Sequence, residues 1–496
     1  MDNLLQIKFI GSLLRSTWCW RLLRLTCLVL LVAMVAWGWH HHDIGGVDAR
    51  DPLMYTSLTN HLFWVWWIMG IVFIALLFGR AWCTVCPLGW LNGIASRFGL
   101  RRDIPPWLRN FIPVSLVLIL LQLSVYFLAI HRFPDYTAVL LALCLLLAIA
   151  AGLLFRERAF CTLFCPAGAV FGLYARIAPF QLRVKDRAVC AGCDSHRCIA
   201  EPVEWQRYQL GSTVLHRRNR LDGCPVGLVP AEIADSADCT LCLTCLQNCD
   251  KENVKVGFRS WLADLKTGGL RLSETFFLLV LVGLLTANFS KVYVDLRELI
   301  FWLPQQSAQL LGWQEPGFYL LAVIWIAILL PLVIFLPGYV ILRLGEMRQT
   351  TLDSEPGPPI GDLPSSTGFW SRMGRLVLSS IPMILAAHVV LALVKLNAKA
   401  GYLPYAIGDP SGVTPYLAFN IMQTVTPPGV LLPLDTLKWV IAALLVAGLA
   451  LSIFASRAVA RGLDGGSRTF VPAAVVSAFI LFSLYFATVI EWLFIR

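Results

Sequence analysis

Long runs of apolar residues recur along this 496-residue sequence. A helix needs about 20 such residues to cross the hydrocarbon core of a bilayer. Windows of that length lie near residues 22–39, 61–79, 111–130, 136–155, 273–290, 318–342, 374–396, 437–456 and 471–494. Only 14% of the residues are charged, about half of what a soluble domain carries. The sequence therefore predicts an all-α polytopic membrane protein with about nine transmembrane helices.

Basic residues are distributed unevenly between the predicted loops. The loops at 40–60 and 397–436 hold one basic residue each, Arg50 and Lys399, whereas other loops are rich in arginine. Because basic loops stay in the cytoplasm, we expect a cytoplasmic N-terminus and a cytoplasmic segment after the fourth span. This pattern accounts for the net charge of +10 without nucleic acid as a partner. We therefore expect a protein of the bacterial inner membrane, with the lipid bilayer around it.

The spans divide the chain into five segments. They are residues 1–155, a four-helix membrane region with a first Cys-Pro motif; 156–271, a cytoplasmic segment with a second Cys-Pro motif and a cysteine-rich domain; 272–350, the fifth and sixth spans; 351–370, a linker; and 371–496, a three-helix membrane region. The linker is rich in Pro, Gly and Ser, which is typical of flexible connections.

The stretch "DCTLCLTCLQNCD" carries four closely spaced cysteines. Cys239, Cys242, Cys245 and Cys249 follow the C-x2-C-x2-C-x3-C spacing, which is typical of 4Fe-4S clusters. In two-cluster ferredoxins the fourth cysteine of each run binds the other cluster, so a second run is expected upstream.

A second run is present in a stretched form. It comprises Cys190, Cys193 and Cys198, followed after 25 residues by Cys224 and Pro225. The crossover rule assigns one 4Fe-4S cluster to Cys190, Cys193, Cys198 and Cys249, and another to Cys239, Cys242, Cys245 and Cys224. The predicted domain is a small inserted α+β two-cluster ferredoxin-like domain. Zinc is the alternative, since paired C-x2-C units also form tetrahedral thiolate sites.

Two further cysteine pairs belong to an internal repeat. The sequences "RAWCTVCPLGW" and "RAFCTLFCPAG" follow the second and fourth spans, and they contain Cys83, Cys86, Cys161 and Cys165. A parallel repeat would bring these four thiols together at the cytoplasmic boundary, as a redox or metal site. Either pair would share one helical face if its helix continued to the proline. Alternatively, the cysteines are small packing residues in a turn.

This combination resembles the NapH/NosR-type membrane-bound polyferredoxins. The resemblance rests on the paired motifs "CTVCP" and "CTLFCP" and on the two-cluster segment after them, and it covers about residues 20–260. It implies electron transfer between the quinone pool or a cytoplasmic donor and a redox partner in the membrane or periplasm. The family has C-x3-C-P twice, whereas the pair Cys83 and Cys86 is one residue shorter.

Several histidines are expected near the outer face of the membrane. They are His40, His41, His42, His61, His131 and His388. Neutral imidazoles there could bind a metal or accept a proton from a quinol, or they could be ordinary interfacial residues. A haem is not expected.

The sequence favours a membrane-bound electron-transfer protein, a component of an oxidoreductase system with quinone as a candidate partner. We find no acid–base pair, nucleophile or phosphate loop in the segment 156–271, so a hydrolase is not expected. Two alternatives stay open: a copper-type metal reductase or assembly factor that uses the Cys-Pro thiols, and a redox-sensing membrane regulator.

Overall fold

The computed structural model describes residues 3–49, 51–199, 205–210, 213–218, 223–266, 269–291, 294–313, 315–352, 368–462 and 467–495. Most of these residues are helical. Most of the predicted linker at 351–370 lies outside the described residues.

Eight helices in the described part of the chain are long and apolar enough to cross a membrane. They are Thr17–Gly38, Leu58–Phe78, Pro134–Leu154, Leu272–Ser290, Gly317–Arg348, Ile381–Gly408, Leu434–Ala460 and Arg468–Phe494. The chain is therefore a multi-pass membrane protein. The predicted window at 111–130 forms a shorter apolar helix of 16 residues, Ile112–Phe127, because the backbone leaves the helical conformation at Ala129 with φ 50°.

The remaining helices are shorter. Besides Ile112–Phe127, the α-helices outside the eight spans are Lys8–Arg15, Pro87–Phe98, Ala159–Leu163, Pro166–Ala175, Arg187–Ala191, Thr244–Asn248, Val294–Leu310, Phe369–Ser379 and Val413–Tyr416. Single 3-10 turns lie at Leu4–Gln6, Ala81–Thr84, Pro230–Glu232, Ala263–Lys266 and Ala400–Tyr402. The Leu58–Phe78 span starts with the α-helical residues Leu58–Asn60 and continues as a π-helical segment at His61–Trp67, and such segments are frequent at functional sites.

Two small antiparallel sheets complete the secondary structure. Strand β1, Phe180–Val184, pairs with β4, Val254–Phe258. Strand β2, Trp205–Leu210, pairs with β3, Thr213–Arg218. Leu182, Val254 and Val256 of the first sheet are buried in a core that also contains leucines of the cysteine-rich stretch.

The chain divides into two compact units, each assembled from separate stretches of sequence. The first unit comprises residues 1–33, 77–105 and 142–261, and the second comprises 34–76, 106–141 and 262–496. All fifteen cysteines lie in the first unit. The histidines at positions 40, 41, 42, 61, 131 and 388 lie in the second.

Candidate functional site

The backbone makes several tight turns between Cys239 and Cys249. Leu241 and Leu243 both adopt the left-handed backbone conformation, with φ 49° and φ 66°. This conformation is uncommon for residues other than glycine and is concentrated at functional sites. After these two leucines, the short helix Thr244–Asn248 carries Cys245. The backbone thus turns repeatedly between successive thiols.

Four thiols gather around this loop, and we call them the second thiol group: Cys224, Cys239, Cys242 and Cys245. Every pair among them is close enough for a charge on one sulfur to act on the other. Burial raises the pKa of Cys224 to about 11 and that of Cys239 to about 12. Deprotonated thiols at these positions therefore require nearby positive charge, which a metal centre supplies.

The first thiol group lies beside it and consists of Cys190, Cys193, Cys198 and Cys249. The Cys198 thiol is within electrostatic reach of the other three. Asn253 joins two members, since its backbone N–H donates to the Cys249 sulfur at 3.3 Å and its side-chain amide donates to the Cys190 sulfur at 3.2 Å. The Ser195 hydroxyl lowers the pKa of the Cys193 thiol. These contacts suit thiolates held as metal ligands.

The two groups are positioned by the sheet that β1 and β4 form. Val184 pairs with Val254, so the chain before Cys190 and the chain after Cys249 are held side by side. The first and second groups are also joined directly, because the backbone N–H of Cys224 donates to the Cys198 carbonyl at 3.2 Å. The β2–β3 hairpin accommodates part of the long spacing between Cys198 and Cys224.

The two Cys-Pro motifs have similar local structures. In each, a span is followed by a short helical turn with the first cysteine, and a second helix starts at the proline. The second cysteine of each pair precedes that proline and is not helical, with ψ 120° at Cys86 and ψ 101° at Cys165. Proline disfavours helical backbone in the preceding residue. A continuous helix through either cysteine pair is therefore wrong, because the backbone is not helical at Cys86 or at Cys165.

The third thiol group is formed by both motifs together: Cys83, Cys86, Cys161 and Cys165. Every pair among these four is within electrostatic reach, as the parallel repeat predicts. Burial raises the pKa of Cys86 to about 12 and that of Cys161 to about 11. The backbone N–H of Gly168, in the first turn of the Pro166–Ala175 helix, donates to the Cys165 sulfur at 3.3 Å.

Two buried arginines flank the third thiol group. Arg80 and Arg158 are each only 6% exposed, and each opens one copy of the repeat. The Arg80 charge acts on Cys83, Cys161 and also Cys239, whereas Arg158 acts on Cys161 and Cys224. The sequence analysis assigns these arginines no role at the thiols. Their repetition three residues before the first cysteine of each motif is the sequence pattern that points to such a role.

Hydrogen bonds connect the third group to the loop of the second. The Thr84 hydroxyl donates to the Leu241 carbonyl at 2.7 Å, and Arg80 donates to the Ala237 carbonyl at 2.6 Å. Arg24 donates to the carbonyls of Thr84 at 2.7 Å and of Cys242 at 3.2 Å. The three groups thus follow one another as neighbours within the first unit.

Three cysteines belong to none of the thiol groups: Cys19, Cys27 and Cys144. In the second unit, the His42 ring lies 3.0 Å from the Asp135 carboxylate, a contact that suits an interfacial residue.

The spacing of the thiols bears on the zinc alternative. Among the described residues, no three His, Cys, Asp or Glu side chains come together closely enough to bind one metal ion. A cubane cluster places each thiolate on a different iron, so its ligands stand farther apart than those of a zinc ion.

Comparison with known proteins shows one matching family. A family model described as a 4Fe-4S binding domain matches residues 60–106 and again residues 137–185. Each match contains one Cys-Pro motif, and both end before Cys190. The double match agrees with the internal repeat.

Three relatives are distant in sequence. Two are uncharacterised proteins of Methanocaldococcus jannaschii, 23% and 22% identical over 45% and 38% of this chain, which is 81% and 77% of their own lengths. The third, YccM of Escherichia coli, is a candidate electron transport protein, 25% identical over 37% of this chain and 52% of YccM. No solved structure shows significant similarity to this chain.

Proposed function

We propose that this iron–sulfur membrane protein transfers single electrons through its three thiol groups. The observation that carries the proposal is the arrangement of twelve cysteines as three adjacent groups of four in one unit. The family match and the likeness to YccM support electron transfer in general.

Each group would bind one 4Fe-4S cluster, which supplies one-electron redox chemistry when it is bound. The assignment is Cys190, Cys193, Cys198 and Cys249 for the first cluster, Cys224, Cys239, Cys242 and Cys245 for the second, and Cys83, Cys86, Cys161 and Cys165 for the third. The surrounding residues tune these sites. Amide donors at Gly168 and Asn253 stabilise negative charge on sulfur, and Arg80 and Arg158 offset the thiolates of the third group.

The order of the groups suggests an electron route. The third group lies next to the ends of membrane spans, the second is hydrogen-bonded to it, and the first is next to the second. By the NapH/NosR resemblance, quinol is the proposed donor or acceptor at the membrane, and the other partner is a redox protein of the membrane or periplasm. We place the protein in the bacterial inner membrane, with its N-terminus and the segment 156–271 in the cytoplasm.

Counting iron in cysteine variants tests the ligand assignment. We expect Cys245→Ser and Cys165→Ser, purified without oxygen, each to lose about four irons and the same number of labile sulfides relative to the wild type. Cys144→Ser is the control, because this cysteine belongs to no thiol group, and it should keep the full content. Colourless wild-type protein without labile sulfide would contradict the proposal.

The same preparations separate the two alternatives. A Cys165→Ser protein that retains all its iron but loses bound copper would favour a metal reductase or assembly factor. If a reduced quinol analogue bleaches the cluster absorbance of the wild type, the clusters lie on an electron route. Clusters that stay oxidised with every quinol and protein donor would favour a sensor.

A further inference from the structure

The second unit contains a concentration of buried polar atoms that lack partners. His61 is fully buried, and neither of its ring nitrogens has a hydrogen-bond partner among the described residues. The Tyr55 carbonyl lies near the ring but outside hydrogen-bond geometry. The hydroxyls of Thr56 and Ser57, 2% and 1% exposed, also lack partners in the described part of the chain. Leaving such groups unsatisfied is unfavourable, so a ligand or water is expected here.

Backbone contacts fix these side chains relative to each other. The His61 backbone N–H donates to the Ser57 carbonyl at 3.0 Å, which places the ring one helical turn after the serine. His61 also begins the π-helical turn of its span. Trp64 of that turn packs edge-on against the His131 ring, with centroids 6.2 Å apart. The Nδ1 atom of His131 is a further buried atom that finds no partner within the described residues.

The surroundings carry an excess of positive charge. The Lys399 ammonium lies 4.5 Å from the centre of the Tyr55 ring, and its charge acts on both His61 and His131. Lys395 and Lys291 also act on His131. The nearby carboxylate of Asp51 is already engaged, 3.0 Å from Arg132. Within the described residues, neither Lys395 nor Lys399 forms an ion pair. Uncompensated cations in a poorly hydrated region are costly, which favours an anionic occupant.

The neutral imidazoles add hydrogen-bond donors to this positive charge. Burial lowers the pKa of His131 to about 4, so the ring is neutral at physiological pH and one nitrogen carries a proton. Hydroxyls, an imidazole N–H and an ammonium are all donors suited to oxyanions. A metal cation would be repelled by the lysines, and a neutral quinone would leave their charge unbalanced.

We propose that Thr56, Ser57, His61, His131 and Lys399 form a binding site for a small oxyanion of the sulfate, phosphate or nitrate class. This site goes beyond the proposed electron transfer, because it lies in the second unit and involves none of the thiol groups. The anionic group can come from a free ion or from the phosphate of an acidic lipid.

Calorimetric titration of the detergent-purified protein with sulfate, phosphate and nitrate tests the site. We expect saturable binding of at least one of these anions in an anion-depleted buffer. Lys399→Met should weaken it at least about tenfold. The paired substitution Thr56→Val with Ser57→Ala should also weaken it, without changing any charge. Lys438→Met is the matched control, since Lys438 is paired with Asp435, and it should bind as the wild type does.

Repeating the titration in nanodiscs distinguishes the two sources. If a free ion binds tightly in both neutral and phosphatidylglycerol nanodiscs, the site is assigned to free anions. If it binds in neutral nanodiscs but not in phosphatidylglycerol nanodiscs, the site is assigned to lipid phosphate. Absence of saturable binding in every preparation, or equal weakening by Lys438→Met, would overturn the proposal. Saturable binding of a neutral quinone analogue that is unaffected by Lys399→Met would overturn it as well. Iron content is measured in parallel, so failure of the electron-transfer proposal is detected separately.

Discussion

Asn253 is the residue whose contacts tie one thiol group together. Its side-chain amide donates to the Cys190 sulfur and to the Asp186 carbonyl, and its Oδ1 accepts the Asp186 backbone N–H. Asn253 thus holds the chain before Cys190 next to the chain after Cys249. The cysteine spacing does not reveal this role, since an asparagine four residues after Cys249 has no particular signature.

We expect Asn253→Asp to lower the midpoint potential of the cluster bound to Cys190. The substitution removes a hydrogen-bond donor to the sulfur and adds negative charge, both of which disfavour the reduced cluster. A shift of about 60 mV corresponds to the loss of one charge-assisted hydrogen bond. Redox titration followed by EPR measures it. Gln247→Glu adds the same charge at a side chain that donates to the Leu14 carbonyl instead of a sulfur; an equal shift there would contradict the role of the hydrogen bond.

The structure brings together the cysteines that the sequence groups, while their role as cluster ligands stays a prediction. Crossover ligation and the repeat both follow from short-range rules, because spacing and pseudo-symmetry determine which thiols can meet. The arginines are different. Arg24 lies on the first span, yet it donates to carbonyls at Thr84 and Cys242, and contacts over such sequence separations leave no local pattern.

At the scale of elements, the two repeat helices differ in what they touch. Gly93 and Gly172 occupy equivalent positions in the helices Pro87–Phe98 and Pro166–Ala175. A Cβ atom at Gly172 would lie 2.7 Å from the Ala237 carbonyl oxygen, whereas one at Gly93 would meet its nearest neighbour at 3.9 Å. The sequence repeats the glycine in both copies but cannot show that only one of them is needed for close packing.

We expect Gly172→Ala to destabilise the protein by about 1–3 kcal/mol, because the new methyl group forces the helix away from the backbone at Ala237. The same displacement should weaken the contact of Arg80 with that backbone. Thermal unfolding in detergent measures the stability, and iron content reports the clusters. Gly93→Ala should be neutral or stabilising by up to about 1 kcal/mol, since alanine favours the helix. Equal melting temperatures for both variants would contradict the close contact.

Secondary structure was predictable where the apolar pattern is long. The eight spans overlap predicted windows, but two windows differ from the helices. The window 374–396 begins in the separate helix Phe369–Ser379, and the helix Ile112–Phe127 is shorter than its window of 111–130. The left-handed residue Ala129 limits it, and a single non-glycine residue in that conformation cannot be read from hydropathy. The ferredoxin-like domain stays a prediction, with the β1–β4 pairing as a feature that suits it.

At the scale of the whole molecule, the third thiol group constrains the number of crossings. Its members come from both sides of the stretch 87–160 and gather in one group, so this stretch must cross the membrane an even number of times. The long helix Pro134–Leu154 provides one crossing. The helix Ile112–Phe127, about 24 Å long, is then expected to provide the other, with local thinning of the bilayer.

Reporter fusions test this topology. With Ile112–Phe127 as a crossing, the described residues provide nine crossings, and the C-terminus is expected on the side opposite to the N-terminus. We expect a periplasmic reporter fused after Arg496 to be active, and a cytoplasmic reporter fused within 156–271 to fluoresce. The control is a periplasmic reporter at the second position, which should be inactive. Activity there would place the thiol groups outside and contradict the proposed orientation.

The pairing of β1 with β4 has a consequence for how this protein can diverge. Phe180 and Phe258 are paired residues of the two antiparallel strands, so the segment between them begins and ends at the same place in the structure. Changes in length between the two strands, for example around the β2–β3 hairpin, need not alter the pairing of β1 with β4. We therefore expect related chains to differ widely in the length and sequence of the segment between β1 and β4, while these two strands keep their register.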